Sequence, residues 1–131
     1  MGDEGLVAIH DGVRPLVTVD IIRNCFEQAA ITGNAIPVTA AVDSVRIQDE
    51  AGNRPFDRSA LSMVQTPQVF DCRLIKEAYH REYKKEFTDD ASVYESAGHT
   101  IHLVQGDTGN IKITSPQDLV VAEALLKNHN L

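Results

Sequence analysis

Short apolar runs and a helical stripe alternate in the first third of the chain. Leu6–Ile9 and Ala35–Thr39 are short and apolar, which is typical of buried strands. Between them, Thr18 can cap a helix and Gly33 can end it, so the pattern predicts an amphipathic helix of about 14 residues. Its apolar positions are Ile22, Cys25, Phe26, Ala29 and Ala30. A strand, a helix and a second strand form one βαβ crossover, so we expect the two strands to pair in parallel.

The segment 42–58 interrupts this alternation with the pattern of a β-hairpin. Polar and apolar residues alternate over Ser44–Gln48, Asp49–Asn53 is rich in turn-forming residues, and Arg54–Phe56 can return as a second strand. An isolated hairpin is marginally stable in water. We therefore expect 42–58 to be a protruding β-arm that packs on its own domain or on a second subunit.

The rest of the chain returns to strands and helices. Met63–Phe70 has the pattern of an interrupted strand, and Asp71 can cap the helix that follows. Thr88–Asp90 opens a shorter helix that Gly98 closes. The remaining predicted elements are strands at Thr100–Val104 and Asn110–Thr114 and a helix from the capping box Ser115–Asp118 to about Lys127. This order predicts a single α/β domain over residues 1–131 with a mainly parallel sheet.

Composition narrows the class of protein. The chain has 131 residues, 43% of them apolar, and a net charge of −7, which argues against a general nucleic-acid or membrane-surface binder. No run approaches the roughly 20 apolar residues of a membrane span, and the N-terminus lacks the features of a secretory signal. Cys25 and Cys72 are far apart and lack metal-site spacing, so we expect reduced thiols in a cytoplasmic protein.

The stretch His10–Pro15 carries the strongest chemical signal. Asp11 follows a buried strand, which is where open α/β sheets place ligand chemistry, and its carboxylate could hold a divalent cation. Arg14 could grip a phosphate with its guanidinium fork. The alternative is a strand end closed by a turn, with a surface salt bridge between the two side chains. His10, beside Asp11, could orient the carboxylate.

Three further polar residues lie within or next to strand-like segments. Lys112 lies between two isoleucines, so its ammonium reaches either a ligand or bulk solvent. Thr66 precedes a proline, which holds its backbone extended, and its hydroxyl could bind a phosphate or cap a turn. Arg58 follows the hairpin. The sequence contains no glycine-rich phosphate-binding loop.

Six motifs, in this order, resemble the 2-C-methyl-D-erythritol 4-phosphate cytidylyltransferase family. They are His10–Pro15, Asp43-Ser44, Asp57–Ser59, Gln65–Phe70, Thr88–Ser92 and Asn110–Leu119. The resemblance implies a Rossmann-like nucleotidyltransferase fold and the transfer of CMP from CTP to methylerythritol phosphate, with release of pyrophosphate, in non-mevalonate isoprenoid biosynthesis. Ribitol-5-phosphate cytidylyltransferase shares three of these motifs and is the alternative, but Asp43–Arg46 and Thr88–Ser92 look more like the methylerythritol enzyme.

The resemblance also implies roles for individual residues. Asp11 would lie near Mg²⁺ and the reacting phosphates, and Asp11 and Lys112 would be the catalytic residues. Arg58, at the base of the arm, would reach the substrate phosphate from the other subunit of a homodimer. The residues implied to bind methylerythritol phosphate within one subunit are Arg14, Ser44, Thr66 and Lys112.

One part of the family pattern is missing from this sequence. The family begins with a strand and a glycine-rich loop that hold CTP, whereas this sequence begins just before the strand that leads to His10. We therefore expect the chain to be the C-terminal portion of such an enzyme, with an incomplete Rossmann-like fold and no activity alone. The alternative is a non-catalytic module that binds a sugar phosphate or forms a dimer.

Overall fold

The computed structural model describes residues 2–81, 84 and 86–128. The elements are β1 (Leu6–Ile9), α1 (Val19–Thr32), β2 (Asn34–Ala40), β3 (Val45–Asp49), β4 (Gly52–Phe56), a 3₁₀ turn (Arg58–Ala60), β5 (Ser62–Val64), β6 (Gln68–Asp71), α2 (Cys72–Tyr79), α3 (Asp90–Ser96), β7 (Leu103–Gln105) and α4 (Pro116–Asn128). The α/β class is confirmed. Within the described ranges, no helix combines the length and the apolar character needed to cross a bilayer.

Strand β6 lies between β1 and β2 and pairs antiparallel with both. Strands β1 and β2 therefore run in the same direction, but the expected direct parallel pairing between them is wrong. The crossover through α1 fixes the direction in which β2 runs, but it does not fix which strand lies beside β2. The central position between β1 and β2 is taken by β6, whose Val69 and Phe70 are fully buried. On the other side of β2, β7 pairs in parallel, so β1, β2 and β7 share one direction.

The interrupted strand predicted at 63–70 is confirmed. Val64 of β5 pairs with Val38, and Val69 of β6 pairs with Ala35. Residues 65–68 therefore lie opposite only two residues of β2, and this segment contains the cis bond between Thr66 and Pro67. Because the interruption takes Thr66 out of the ladder, its hydroxyl and carbonyl are available to bind neighbouring loops.

The two faces of the sheet are both covered. Successive side chains of a strand point to opposite faces, and Ala35 and Ile36 accordingly belong to different core clusters, as do Val69 and Phe70. One cluster packs under α1, and the other packs under α2 and α3. The buried members are Cys25, Ala29, Ala35 and Val69 on the first face and Ile36, Phe70, Ile75, Ala91 and Tyr94 on the second.

The helix ends agree with the capping residues predicted from sequence. Thr18 accepts a hydrogen bond from the Ile21 N–H, and Gly33 ends α1 with a φ of 96°. Asp71 caps α2, and Asp89 forms a capping box at the start of α3. These contacts involve neighbours within four residues, which explains why a local sequence pattern predicts them.

Two predicted strands differ in the structure. The strand expected at 100–104 begins only at Leu103 and extends to Gln105, because the side chain of Asn34 binds the Thr100 carbonyl and the His102 N–H in place of ladder partners. The segment 110–114 is not a strand. Its backbone is held by irregular contacts, one of which is the Ile113 N–H donating to the Val13 carbonyl at 2.8 Å.

The hairpin predicted in segment 42–58 is confirmed. Strands β3 and β4 form a separate two-stranded sheet, with Val45 opposite Phe56 and Asp49 opposite Gly52. Every residue of β4 is exposed, whereas Val45 and Ile47 of β3 are half-buried. The arm therefore has an apolar side that this protomer covers only in part.

Candidate functional site

A cleft of about 610 Å³ opens where the loop after β1, the β5–β6 interruption and the segment after β7 meet. A second cavity, of about 340 Å³, lies between β1 and α2. Four of the six residues singled out from sequence line the cleft, namely Asp11, Arg14, Thr66 and Lys112. They come from three separate segments of the chain, so the fold brings together side chains that are up to about 100 residues apart.

Arg14 lines the cleft and is held in place by hydrogen bonds to three other residues. Its side chain is only 11% exposed and donates to Asp11 Oδ2 at 3.1 Å, to the Asn110 carbonyl at 2.7 Å and to the Val64 carbonyl at 3.4 Å. A guanidinium has five N–H donors, so two donors remain for a ligand. Arg14 thus forms the salt bridge to Asp11 and also lines the cleft, and its binding of a phosphate stays a prediction.

Asp11 presents one carboxylate oxygen without a hydrogen-bond partner among the described residues. Oδ2 accepts from Arg14, whereas Oδ1 has no such contact, and the side chain is 35% exposed. Within those residues no group of three or more His, Cys, Asp or Glu side chains could hold a metal ion. A lone carboxylate fits magnesium, which commonly takes one or two carboxylates and completes its shell with water and substrate phosphates.

Thr66 and His10 form a hydrogen-bonded pair at the edge of the cleft. Thr66 Oγ1 accepts from the Asp11 backbone N–H at 3.0 Å and lies 2.9 Å from His10 Nδ1. His10 Nε2 lies 3.0 Å from the Arg14 carbonyl oxygen. Both ring nitrogens of His10 are thus engaged away from the Asp11 carboxylate, so the expectation that His10 orients that carboxylate is wrong.

Lys112 differs from Arg14 although both line the cleft. Its side chain is exposed, and no carboxylate in the described part of the chain forms an ion pair with it. The segment that carries it lies in the irregular stretch anchored to Val13 rather than in a strand. Its ammonium is therefore available to an anionic ligand in the cleft.

Ser44 and Arg58 lie outside the cleft. Both are exposed, Ser44 just before β3 and Arg58 in the 3₁₀ turn after β4. Arg58 Nη1 donates to the Val42 carbonyl at 2.5 Å, which ties the two ends of the arm together. One protomer thus does not bring these two residues to the other four.

Buried amide side chains form a hydrogen-bonded network behind the cleft that the sequence analysis did not predict. Gln68 is 2% exposed and binds both the Asp89 carboxylate and the Ala91 N–H, which fixes the start of α3. Gln65 binds Asp107, and the fully buried Asn110 binds the Thr66 carbonyl at 2.9 Å. The available signal was the pair of glutamines that flank Thr66-Pro67 between apolar residues on either side.

Another part of the cleft lining contains acidic and aromatic side chains, namely Tyr79, Asp89 and Asp90. The Tyr79 hydroxyl donates to Asp90 Oδ1. Burial, together with the hydrogen bond and the negative charge of Asp90, raises the pKa of Tyr79 well above its usual range, so the phenol stays protonated. The Asp89 carboxylate is engaged by Gln68 and the helix cap. Arg81 also lines the cleft, so the described residues contribute three cationic side chains to it, Arg14, Lys112 and Arg81.

Comparison with known proteins gives one consistent result. The family model described as IspD, 2-C-methyl-D-erythritol 4-phosphate cytidylyltransferase, matches residues 1–128. The chain is 49% identical over 123 residues to the protein of that name from Phocaeicola vulgatus, covering 94% of this chain and 56% of that protein. It is 50% identical over 122 residues to the one from Bacteroides fragilis, covering 93% of this chain and 56% of that protein.

The solved structures agree with the sequence comparison. The chain superimposes on the crystal structure of 2-C-methyl-D-erythritol 4-phosphate cytidylyltransferase from Thermus thermophilus with a TM-score of 0.81 and 36% identity. The match covers 93% of this chain and 62% of that one. The chain thus spans about 56% of the length of the curated relatives named above.

Proposed function

Since the chain belongs to the 2-C-methyl-D-erythritol 4-phosphate cytidylyltransferase family, we propose that its cleft forms the sugar-phosphate side of a cytidylyltransferase site. The complete site transfers CMP from CTP to 2-C-methyl-D-erythritol 4-phosphate. The single observation that carries the proposal is the convergence of Asp11, Arg14, Thr66 and Lys112 on one cleft. The relatives named above support methylerythritol phosphate over ribitol phosphate as the acceptor.

The chemistry requires positioning and charge more than a catalytic base. An oxygen of the sugar phosphate attacks the α-phosphorus of CTP, the bond from that phosphorus to the bridging oxygen breaks, and pyrophosphate leaves. The attacking phosphate is already largely ionised at neutral pH, so no residue needs to remove a proton. The cost lies in bringing polyanions together and stabilising charge at the α-phosphate.

Lys112 and Arg14 divide this work according to their surroundings. Lys112 is exposed and lacks an ion pair with any described residue, so its whole charge is available to the phosphates. Arg14 is held by three protein acceptors and offers its two remaining donors from a fixed position. We assign Lys112 a catalytic role in neutralising phosphate charge and Arg14 a substrate-binding role.

Magnesium would be held by the carboxylate of Asp11. The unengaged oxygen of Asp11 and the phosphates of the ligand are the donors that suit it, and the bound ion would supply charge neutralisation at the phosphates. Arg14, on the other carboxylate oxygen, fixes the direction of the free oxygen.

The arm completes the site in a homodimer under this proposal. Ser44 and Arg58 lie at its two ends and outside the cleft of their own protomer, and β4 is exposed throughout. An arm that crosses to a second copy would bring both side chains to the partner's cleft. A two-fold axis would make the two sites equivalent.

The test of the proposal uses purified protein and CTP with each sugar phosphate in turn. The 131-residue chain alone should release no pyrophosphate, because it has no glycine-rich loop for the triphosphate. A complete protein carrying these residues should release pyrophosphate with methylerythritol phosphate. Faster release with ribitol phosphate would favour the second acceptor, and binding without turnover by the complete protein would favour a non-catalytic module.

A further inference from the structure

His10 stands out because it is a titratable side chain in contact with Thr66 and has so far been given no role. It bridges two residues of the cleft that are 52 positions apart, Arg14 through its carbonyl oxygen and Thr66 through its hydroxyl. Neither contact involves the Asp11 carboxylate. The donors and acceptors present determine the direction of the two hydrogen bonds of the His10 ring.

A carbonyl oxygen can only accept, so the bond to the Arg14 carbonyl requires a proton on His10 Nε2. In a neutral imidazole the other nitrogen, Nδ1, is then an acceptor. The Thr66 hydroxyl must therefore donate its proton to Nδ1 across the 2.9 Å contact. Thr66 Oγ1 also accepts from the Asp11 N–H, which leaves it one unused lone pair.

This arrangement fixes how Thr66 can meet a ligand. With its proton committed to His10, Thr66 presents an acceptor to the cleft. A dianionic phosphate oxygen is also an acceptor and makes a poor partner, whereas a hydroxyl group of a polyol is a donor and makes a good one. The phosphate of the ligand is then left to Lys112 and Arg14, which are donors only.

We propose that His10 is a positioning residue that sets the hydrogen-bond direction of Thr66, so that Thr66 binds a hydroxyl of the sugar-alcohol substrate rather than its phosphate. The proposal rests on the proposed function for its substrate. The proton arrangement itself depends only on contacts within this chain.

Two substitutions at His10 separate its two contacts. In His10→Asn the side-chain oxygen occupies the place of Nδ1 and can still accept the Thr66 proton. In His10→Gln the amide nitrogen reaches the place of Nε2 and can still donate to the Arg14 carbonyl, but nothing accepts from Thr66. Because both variants are polar and His10 is exposed, both should fold, which unfolding in urea verifies.

The first measurement is made on the 131-residue chain and does not depend on turnover. Nitrogen-15 NMR of the neutral His10 ring, assigned by loss of its signals in His10→Asn, should show the proton on Nε2. In Thr66→Val, which removes the hydroxyl at nearly constant shape, the Nδ1 signal should shift because its donor is gone. A proton on Nδ1 in the parent chain would overturn the proposal.

The second measurement uses the complete enzyme with CTP and methylerythritol phosphate. His10→Gln should raise the KM for the sugar phosphate about threefold to tenfold, the range for one hydrogen bond, with the KM for CTP unchanged. His10→Asn should stay within about twofold of the parent, and His10→Gln should add nothing in a Thr66→Val background. Equal effects of both His10 variants, or additive effects with Thr66→Val, would contradict the role. Absence of turnover in the parent enzyme would refute the proposed function, while the NMR result still decides the proton direction.

Discussion

Replacing Arg14 and replacing Lys112, two of the cations of the cleft, should have different consequences for stability. Arg14 is 11% exposed and joins Asp11, Asn110 and Val64 through three hydrogen bonds of 3.1, 2.7 and 3.4 Å. Lys112 is exposed and has no ion pair within the part of the chain that the structure describes. Arg14→Ala should therefore destabilise the fold, whereas Lys112→Ala should not.

The size of the difference follows from these contacts. A hydrogen bond that involves a charged group contributes about 1.5–3 kcal/mol, and the long contact to Val64 contributes least. Partial access of water to the Asp11 carboxylate lowers the sum, so Arg14→Ala should reduce the free energy of unfolding by about 2–4 kcal/mol. Lys112→Ala and a control on the outer face of α2, Arg73→Ala, should each stay within about 0.5 kcal/mol.

Urea unfolding of the 131-residue variants measures this difference, with one slope fitted to the set. In the complete enzyme both Arg14→Ala and Lys112→Ala should lower kcat/KM by about 100-fold or more, as expected for the loss of a cation that binds the phosphates. Equal losses of stability for the two variants, or a loss below about 1 kcal/mol for Arg14→Ala, would refute the conclusion that the hydrogen bonds of Arg14 stabilise the fold.

Three further predictions concern other parts of the fold. A Cβ at Gly106 would lie 2.7 Å from Gln65 Oε1 and 3.0 Å from a backbone oxygen, so Gly106→Ala should cost about 1–3 kcal/mol in urea unfolding, whereas Gly12→Ala, with open space, should cost little. Burial raises the pKa of Cys25 to about 11, so only about one Cys25 thiol in a thousand is ionised at pH 8. In Cys72→Ser protein, where Cys25 is the remaining cysteine, alkylation of the folded chain should therefore be at least about 100-fold slower than alkylation in urea. Rapid labelling of the folded protein would contradict this. Sedimentation should show a dimer that deletion of 48–54 weakens, and an unchanged monomer at tens of micromolar would remove the basis for placing Arg58 in a partner's site.

The sequence by itself determined the elements whose causes are local. The limits of α1, the caps at Thr18, Asp71 and Asp89 and the hairpin all depend on residues within a few positions of one another. Such contacts are visible in spacing and residue type. The six motifs, and with them the family, are likewise a property of residue order.

Only the tertiary structure decided which strands are neighbours and which hydrogen bonds connect the residues of the cleft. The insertion of β6 between β1 and β2 depends on which strand buries the most apolar surface at the centre, and spacing along the chain does not encode that. The pairing of His10 with Thr66 spans 56 positions, and the bond from Arg14 to the Asn110 carbonyl spans 96. Contacts of this kind exist only once the chain has folded, because folding is what holds the two partners together against their conformational entropy.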